Sequence, residues 1–145
     1  MLNVRQYNES DYEAVKALYL RGDLYGGQFD EARDSKDRLN SVTKLNPNAI
    51  LVCEFNRAVV GTVSLIDDGR IAWLFRFAVE QGPNEKAVAE QLYEAACSIL
   101  RSRGHSQVLV YSPVNQSRLE DRYLSLGMKK GGDYTCFWQG SVDIR

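Results

Sequence analysis

Three strand-like runs set close together, followed by an abrupt change of period, constrain this chain more than any other feature. AILVCEF (residues 49–55) and AVVGTVSLI (58–66) are separated only by Asn56-Arg57, the length of a two-residue hairpin loop. Asp67-Asp68-Gly69 supplies a second tight turn and leads into RIAWLFRFAV (70–79). From Pro83 the apolar residues fall at helical spacing instead. Val88, Leu92, Ala95, Ala96, Ile99 and Leu100 mark one face of a helix of about five turns. Pro83 suits the first turn, Arg101 and Arg103 complement the negative end, and Gly104 stops the helix. QVLVYS (107–112) then reads as a buried strand. Three adjacent runs joined by tight turns predict an antiparallel meander, and the strand–helix–strand unit predicts that 70–79 and 107–112 lie parallel in the same sheet.

The flanks extend this pattern. Leu2 and Val4 begin a short strand, and Asn8-Glu9-Ser10-Asp11 starts a helix, with Ser10 or Asp11 as cap and Tyr12, Val15, Leu18 and Tyr19 as its apolar stripe. GDLYGGQF (22–29) is a loop rich in glycine and aromatics. Residues 30–45 are helical in character and are broken by Asn46-Pro47-Asn48. A shorter helix is expected over 117–126, with Leu119, Tyr123 and Leu126 inward and Gly127 as its stop, and MKKGGDYTCFWQG is expected to close the chain as a strand. The expected architecture is one α/β (α+β) domain over 1–145: a mixed, largely antiparallel sheet with helices on both faces.

Composition narrows the function. The 145 residues are 44% hydrophobic and 26% charged, with a net charge of −1 and interleaved signs, so a nucleic-acid partner is not expected. No apolar run reaches membrane-spanning length, and the first residues are too polar for a signal peptide, so neither a membrane partner nor export is expected. Cys53, Cys97 and Cys136 are widely spaced, which fits a reducing, cytoplasmic setting and no metal site. The single histidine, His105, reads as a residue of an exposed turn, and a cysteine hydrolase built from Cys97 or Cys136 with His105 has almost no support. Ligands favour the carboxyl ends of parallel strands, which here means the stretch 79–96 and the turn 112–115.

With these elements in place, the chain resembles the GNAT acyltransferase superfamily, whose members use acetyl-CoA. That family's central block reads like A-V-H-P-x-x-R-G-x-G-I-G, followed by a long helix, an R-G pair, a strand and a Y-x-x-L-G-F ending. Here Ala78-Val79 begins the block, Arg103-Gly104 and 107–112 follow without a gap, and Tyr123-Leu124-Ser125-Leu126-Gly127-Met128 fits the ending. The opening NVRQYNESDYEAVKALY also looks like the family's first strand and helix, so the resemblance spans nearly the whole chain.

The resemblance implies acetyl-CoA as co-substrate, a primary amine on a small molecule or peptide as acceptor, and a homodimer. It places Phe77, Ala78 and Val79 along the pantetheine arm and Asn84, Glu85, Lys86, Ala87, Val88 and Ala89 at the diphosphate. Tyr123 matches the general acid toward the departing sulfur, although the same stripe also reads as core. Asn115 matches a cofactor-touching asparagine, with Gln116 one place closer to the usual spacing. Tyr25, Gln28, Phe29 and Trp73 would shape the acceptor pocket. The diphosphate loop departs from the family pattern, because Glu85, Ala87 and Ala89 stand where glycines are usual. Two readings follow: a loop that still offers backbone N–H groups to a diphosphate, or a plain helix start on a catalytically weak or inactive binding module. Glu54, Asp67, Asp68 and Glu80 are candidate bases by location only. Arg76, between Phe75 and Phe77, faces solvent by simple alternation or else an acidic group.

Overall fold

The computed structural model describes residues 1–21 and 29–142. Its elements are β1 (Leu2–Gln6), a short 3-10 turn (Glu9–Asp11), α1 (Tyr12–Tyr19), α2 (Glu31–Asp34), α3 (Lys36–Leu45), β2 (Ile50–Phe55), β3 (Ala58–Asp67), β4 (Ala72–Val79), α4 (Glu85–Ser102), β5 (Leu109–Val110) and α5 (Ser117–Ser125). The sheet runs β1-β2-β3-β4-β5, antiparallel except for the parallel β4–β5 pair. The hairpin between β2 and β3 forms because Asn56 and Arg57 both take positive φ, 51° and 67°, the backbone twist that joins adjacent antiparallel strands.

Strand alternation feeds two apolar layers. Leu51, Cys53, Val63, Leu65, Leu74, Phe77 and Val79 face α4, whose Val88, Leu92, Ala96 and Leu100 complete that core. Ile50, Val52 and Ala78 face the other way, onto Val15, Leu18 and Tyr19 of α1 and Leu39 of α3. Gly61 lets α4 sit close. A Cβ there would lie 2.6 Å from Val88 Cγ1 and 3.0 Å from Leu92 Cδ1.

Five sequence expectations change. The helix expected over 30–45 is two helices, because Ser35 is extended (φ −66°, ψ 159°) and its hydroxyl accepts the Arg38 N–H as a new cap. The strand expected over 107–112 shrinks to Leu109–Val110. The closing strand does not form: residues 128–142 are neither helix nor strand, since a segment with strand propensity still needs a neighbour to pair with. His105 is not in an exposed turn. Its side chain is 4% exposed, and its Nε2 lies 2.8 Å from Asp67 Oδ2.

Arg76 is the largest fully buried side chain. Thr62 pairs with Ala78 and Ser64 with Phe75, so Arg76 and Phe77 together oppose Val63 alone. This β-bulge puts Arg76 in the left-handed region (φ 51°) and breaks the alternation on which the solvent-facing expectation rests. Phe75 and Arg76 consequently share the cavity on the helix α2 side, and Phe77 returns to the α4 core.

Candidate cofactor cleft and acceptor cavity

β4 and β5 pair only at Trp73 with Leu109 and Leu74 with Val110. β4 then continues to Val79, while the other segment leaves through Pro113 and Asn115 into α5. The strands part where the bulge bends β4 and where Asn115 (φ 63°) turns the chain. Phe77, Ala78 and Val79 are buried at one side of this opening. On the other side Tyr123 of α5 packs its ring against Phe77, with centroids 6.3 Å apart and planes at 51°. Burial raises the Tyr123 phenol above its ordinary value, against a smaller opposing effect of Arg122. Tyr123 is therefore protonated at neutral pH and holds a proton it can donate.

Arg122, next to Tyr123 on α5, lies over the same Phe77 ring at 5.9 Å and also faces the start of α4. Gly82 takes a positive φ of 153°, whereas none of residues 84–89 does, so Glu85, Ala87 and Ala89 replace glycine without backbone strain. The Glu85 N–H reaches Gly82 O at 3.2 Å and the Val88 N–H reaches Asn84 O at 2.9 Å. The Lys86 and Ala87 amides belong to the first turn, which has no earlier helical carbonyl to bond. Val88 and Ala89, at 1% and 2% exposure, chiefly pack α4 onto the sheet.

A cavity of about 400 Å³ opens at this helix end, lined by Gly82, Pro83, Lys86, Ala89, Arg118 and Arg122 among others. Two of these cations escape a reading of the sequence. Arg118 and Arg122 stand one turn apart on α5, and both guanidinium groups bond Glu85 Oε1, Arg122 at 2.9 Å and Arg118 closer still. Their i, i+4 spacing is visible in the chain, but it reads as an ordinary solvated helix face until α5 is docked beside α4. The result is a basic wall at a helix N-terminus, with Glu85 as its present anion.

A second cavity, of about 410 Å³, lies on the opposite layer between α1, α2, α3 and the β3–β4 strands. Tyr19, Arg33, Arg38, Leu39, Phe75 and Arg76 contribute to its lining. Its wall is fixed by a two-point ion pair. Arg76 Nε donates to Asp34 Oδ1 at 3.1 Å and Nη2 to Asp34 Oδ2 at 2.6 Å. The guanidinium also lies over the Tyr19 and Phe75 rings, 5.5 and 5.0 Å from their centroids.

The remaining expected site residues are distributed unevenly. Phe29 packs on the α1 layer with Lys16 Nζ 5.2 Å from its ring centroid, and it lines neither cavity. Trp73 stacks on Tyr111 at 4.8 Å, also outside both linings. Tyr25 and Gln28 lie outside the described residues. Asn115 is exposed, and the half-buried Gln116 directly precedes α5. Among the acids, Glu54 accepts from Arg5 at 2.9 Å, Asp67 is held by Arg103 and His105, and Asp68 caps the Arg70 and Ile71 amides. Glu80 is exposed, 3.8 Å from Arg21. Among the described residues no group of three or more His, Cys, Asp or Glu side chains could hold a metal, and no helix is long and apolar enough to cross a membrane.

No protein-family model and no curated protein matches the sequence. Solved structures do match the three-dimensional arrangement. A transcriptional regulator from Bacillus halodurans C-125 superposes with a TM-score of 0.75 at 16% identity, covering 96% of this chain and 100% of that one. The aminoglycoside N-acetyltransferase AAC(6')-Iy, with a bisubstrate analogue, gives 0.73 at 15% identity over 97% and 99% of the two chains. The PaiA N-acetyltransferase from Thermoplasma acidophilum, with coenzyme A, gives 0.70 at 18% identity over 86% and 87%. The fold is that of the GNAT acetyltransferases. Sequence identity of this order carries the fold and leaves the chemistry to the residues described above.

Proposed function

We propose that this GNAT-fold chain, acting as one domain, is an acetyl-CoA-dependent N-acetyltransferase. The observation that carries the reading is that Tyr123 packs on Phe77 beside the parted β4–β5 strands while Arg122, which lines the basic cavity at the end of α4, lies 5.9 Å from the same ring. In this reading the diphosphate lies against the Lys86 and Ala87 amides, with Lys86, Arg118 and Arg122 as counter-charges. The pantetheine arm runs along residues 77–79 between the parted strands, with Asn115 or Gln116 at its far side. Acetyl-CoA supplies an activated acyl carbon, to which an unprotonated amine bonds as the C–S bond breaks. A β4 backbone N–H polarises the acyl oxygen, Tyr123 gives its proton to the departing sulfur, and the proton that the acylated nitrogen loses passes through solvent and restores the phenol. The acceptor is a primary amine on a small molecule or peptide. It enters from the side of the 410 Å³ cavity, near Phe75, with Trp73 further along the strand. A cytoplasmic homodimer completes the proposal.

The Glu85 carboxylate favours a second reading, in which the arginines are satisfied internally and the chain is a weakly active or inactive binding module. Acetyl-CoA separates the two. Under the enzyme reading, millimolar acetyl-CoA raises the melting temperature, by about 2.7 kcal/mol of added stability at a hundredfold excess over Kd. Tyr123→Phe then lowers kcat by about a hundredfold or more while acetyl-CoA affinity holds. An unchanged melting temperature would sink the enzyme reading; unchanged turnover would remove Tyr123 from the mechanism.

A further inference from the structure

The charges that line the 410 Å³ cavity are unequal. Among the described residues of its wall, Arg33, Arg38 and Arg76 stand against a single acid, Asp34. That acid is already committed. Asp34 Oδ1 accepts Arg76 Nε at 3.1 Å, and Oδ2 accepts Arg76 Nη2 at 2.6 Å and the Asp30 N–H at 3.0 Å. Arg76 and Asp34 therefore cancel as a buried pair, and the charge that a ligand meets comes from Arg33 and Arg38. Both of these side chains are exposed. Arg33 also lies 3.6 Å from Asp30, with about half of each side chain in solvent, and an exposed pair of that kind holds weakly.

The rest of the wall is largely apolar. Leu39 and Leu65 line the cavity from within the core, whereas Val42 and Ile66 line it at 47% and 49% exposure. Arg38 and Val42 stand one turn apart on α3, so that helix offers a cation and an apolar side chain to the cavity together. A ligand that carries a second ammonium meets two arginines here and no uncommitted carboxylate. A ligand that carries an acid meets guanidinium forks, whose planar donors match carboxylate and phosphate oxygens alike.

We infer that the acceptor is an amine that also bears an acid, a carboxylate or a phosphate ester, on an apolar body, and that Arg38 with Arg33 holds this acid at the cavity. The inference rests on the acetyl-transfer reading above and narrows its acceptor to one charge class. Polycationic amines are selected against, because a second ammonium would lose its water beside like charge. The reach is short enough. Phe75 and Arg76 line the cavity, and Phe77 starts the stretch assigned to the pantetheine arm. A strand advances about 3.3 Å per residue, so Phe75 and Phe77 are at most roughly 7 Å apart. An amine and an acid at the two ends of one small molecule span that distance.

Four primary amines that share a six-carbon chain and differ only at the far end test it: aminohexanoate, aminohexyl phosphate, hexylamine and diaminohexane. Binding is measured by calorimetry on the full chain without acetyl-CoA, and turnover with it. At least one of the two acids should bind about tenfold to a hundredfold more tightly than hexylamine, with diaminohexane weakest, and the tighter acid tells carboxylate from phosphate. Turnover should follow the same order. Arg38→Gln should remove most of the advantage, and Arg38→Glu should move the preference to diaminohexane, a reversal that a merely structural role would not produce. Circular dichroism checks that both variants fold. Hexylamine or diaminohexane bound as tightly as the better acid overturns the inference. So does binding by none of the four, or an unchanged order in Arg38→Glu. Acids that bind in the expected order to a chain whose melting temperature ignores acetyl-CoA would end the acetyl-transfer reading while bearing out the cavity's choice of acid.

Discussion

Arg76 of β4 and Asp34 of α2, 42 positions apart, meet in a two-point ion pair with 1% and 2% of their side chains exposed. The pair ties the β4 bulge beside the β4–β5 opening to helix α2. Burying such charges is costly, and each depends on the other. Asp34→Ala should therefore destabilise the fold by about 3–5 kcal/mol in denaturant unfolding. Replacing both by apolar residues, Asp34→Leu with Arg76→Met, should cost clearly less than the single change. A double variant as unstable as Asp34→Ala would contradict this account.

Gly61 sets the distance between β3 and α4. Its missing Cβ is the space into which Val88 and Leu92 pack, so Gly61→Ala overfills the core. The expected loss is about 1–3 kcal/mol, read as a lower denaturant midpoint with little change in slope. A neutral outcome would mean that α4 shifts outward at no cost.

Asp67 gives the acid sensitivity a defined source. The His105 hydrogen bond, followed by the charges of Arg103 and His105, holds its carboxyl below the usual range, against an opposing effect of burial. A pKa lowered in the folded state contributes stability that is full above the unfolded value of about 3.9 and is lost as pH falls through the folded value. Asp67→Asn should lower stability at pH 7 by about 1–2 kcal/mol and flatten the decline in melting temperature below pH 4. Parallel melting curves for the two proteins from pH 6 to pH 2 would refute it.

Glu85 competes with any anion for Arg118 and Arg122. Glu85→Gln removes the charge and keeps the shape, so coenzyme A should bind about three- to tenfold more tightly, roughly 0.7–1.4 kcal/mol by calorimetry. Arg122→Gln should weaken binding by a similar factor. Weaker binding in Glu85→Gln would assign the carboxylate to orienting the arginines instead.

Much of this architecture is legible in the sequence. The period change at Pro83, the Asn56-Arg57 turn and the glycine stop at Gly104 are local facts, and local geometry honours them: both hairpin residues take positive φ, and Gly104 has φ 92°. Tyr123 stands in the Y-x-x-L-G signature and packs against Phe77 beside the cleft. The glycine-poor loop, which leaves two readings open in the sequence, has no left-handed residue from 84 to 89 and so needs no glycine there.

What the sequence by itself determined is the order and type of elements, because periodicity and turn chemistry act over a few residues. Only tertiary structure decided the pairings across the chain. One extra residue in β4 turned Arg76 toward Asp34, docking of α5 brought Arg118 and Arg122 onto Glu85, and the end of β3 turned the lone histidine into a buried partner of Asp67. Each joins groups more than thirty positions apart, so its energy depends on how strands and helices stack and leaves no local pattern to read. The closing segment gives the complementary case. Its strand propensity is written in Tyr134 to Trp138, but a strand exists only where another strand's edge accepts it.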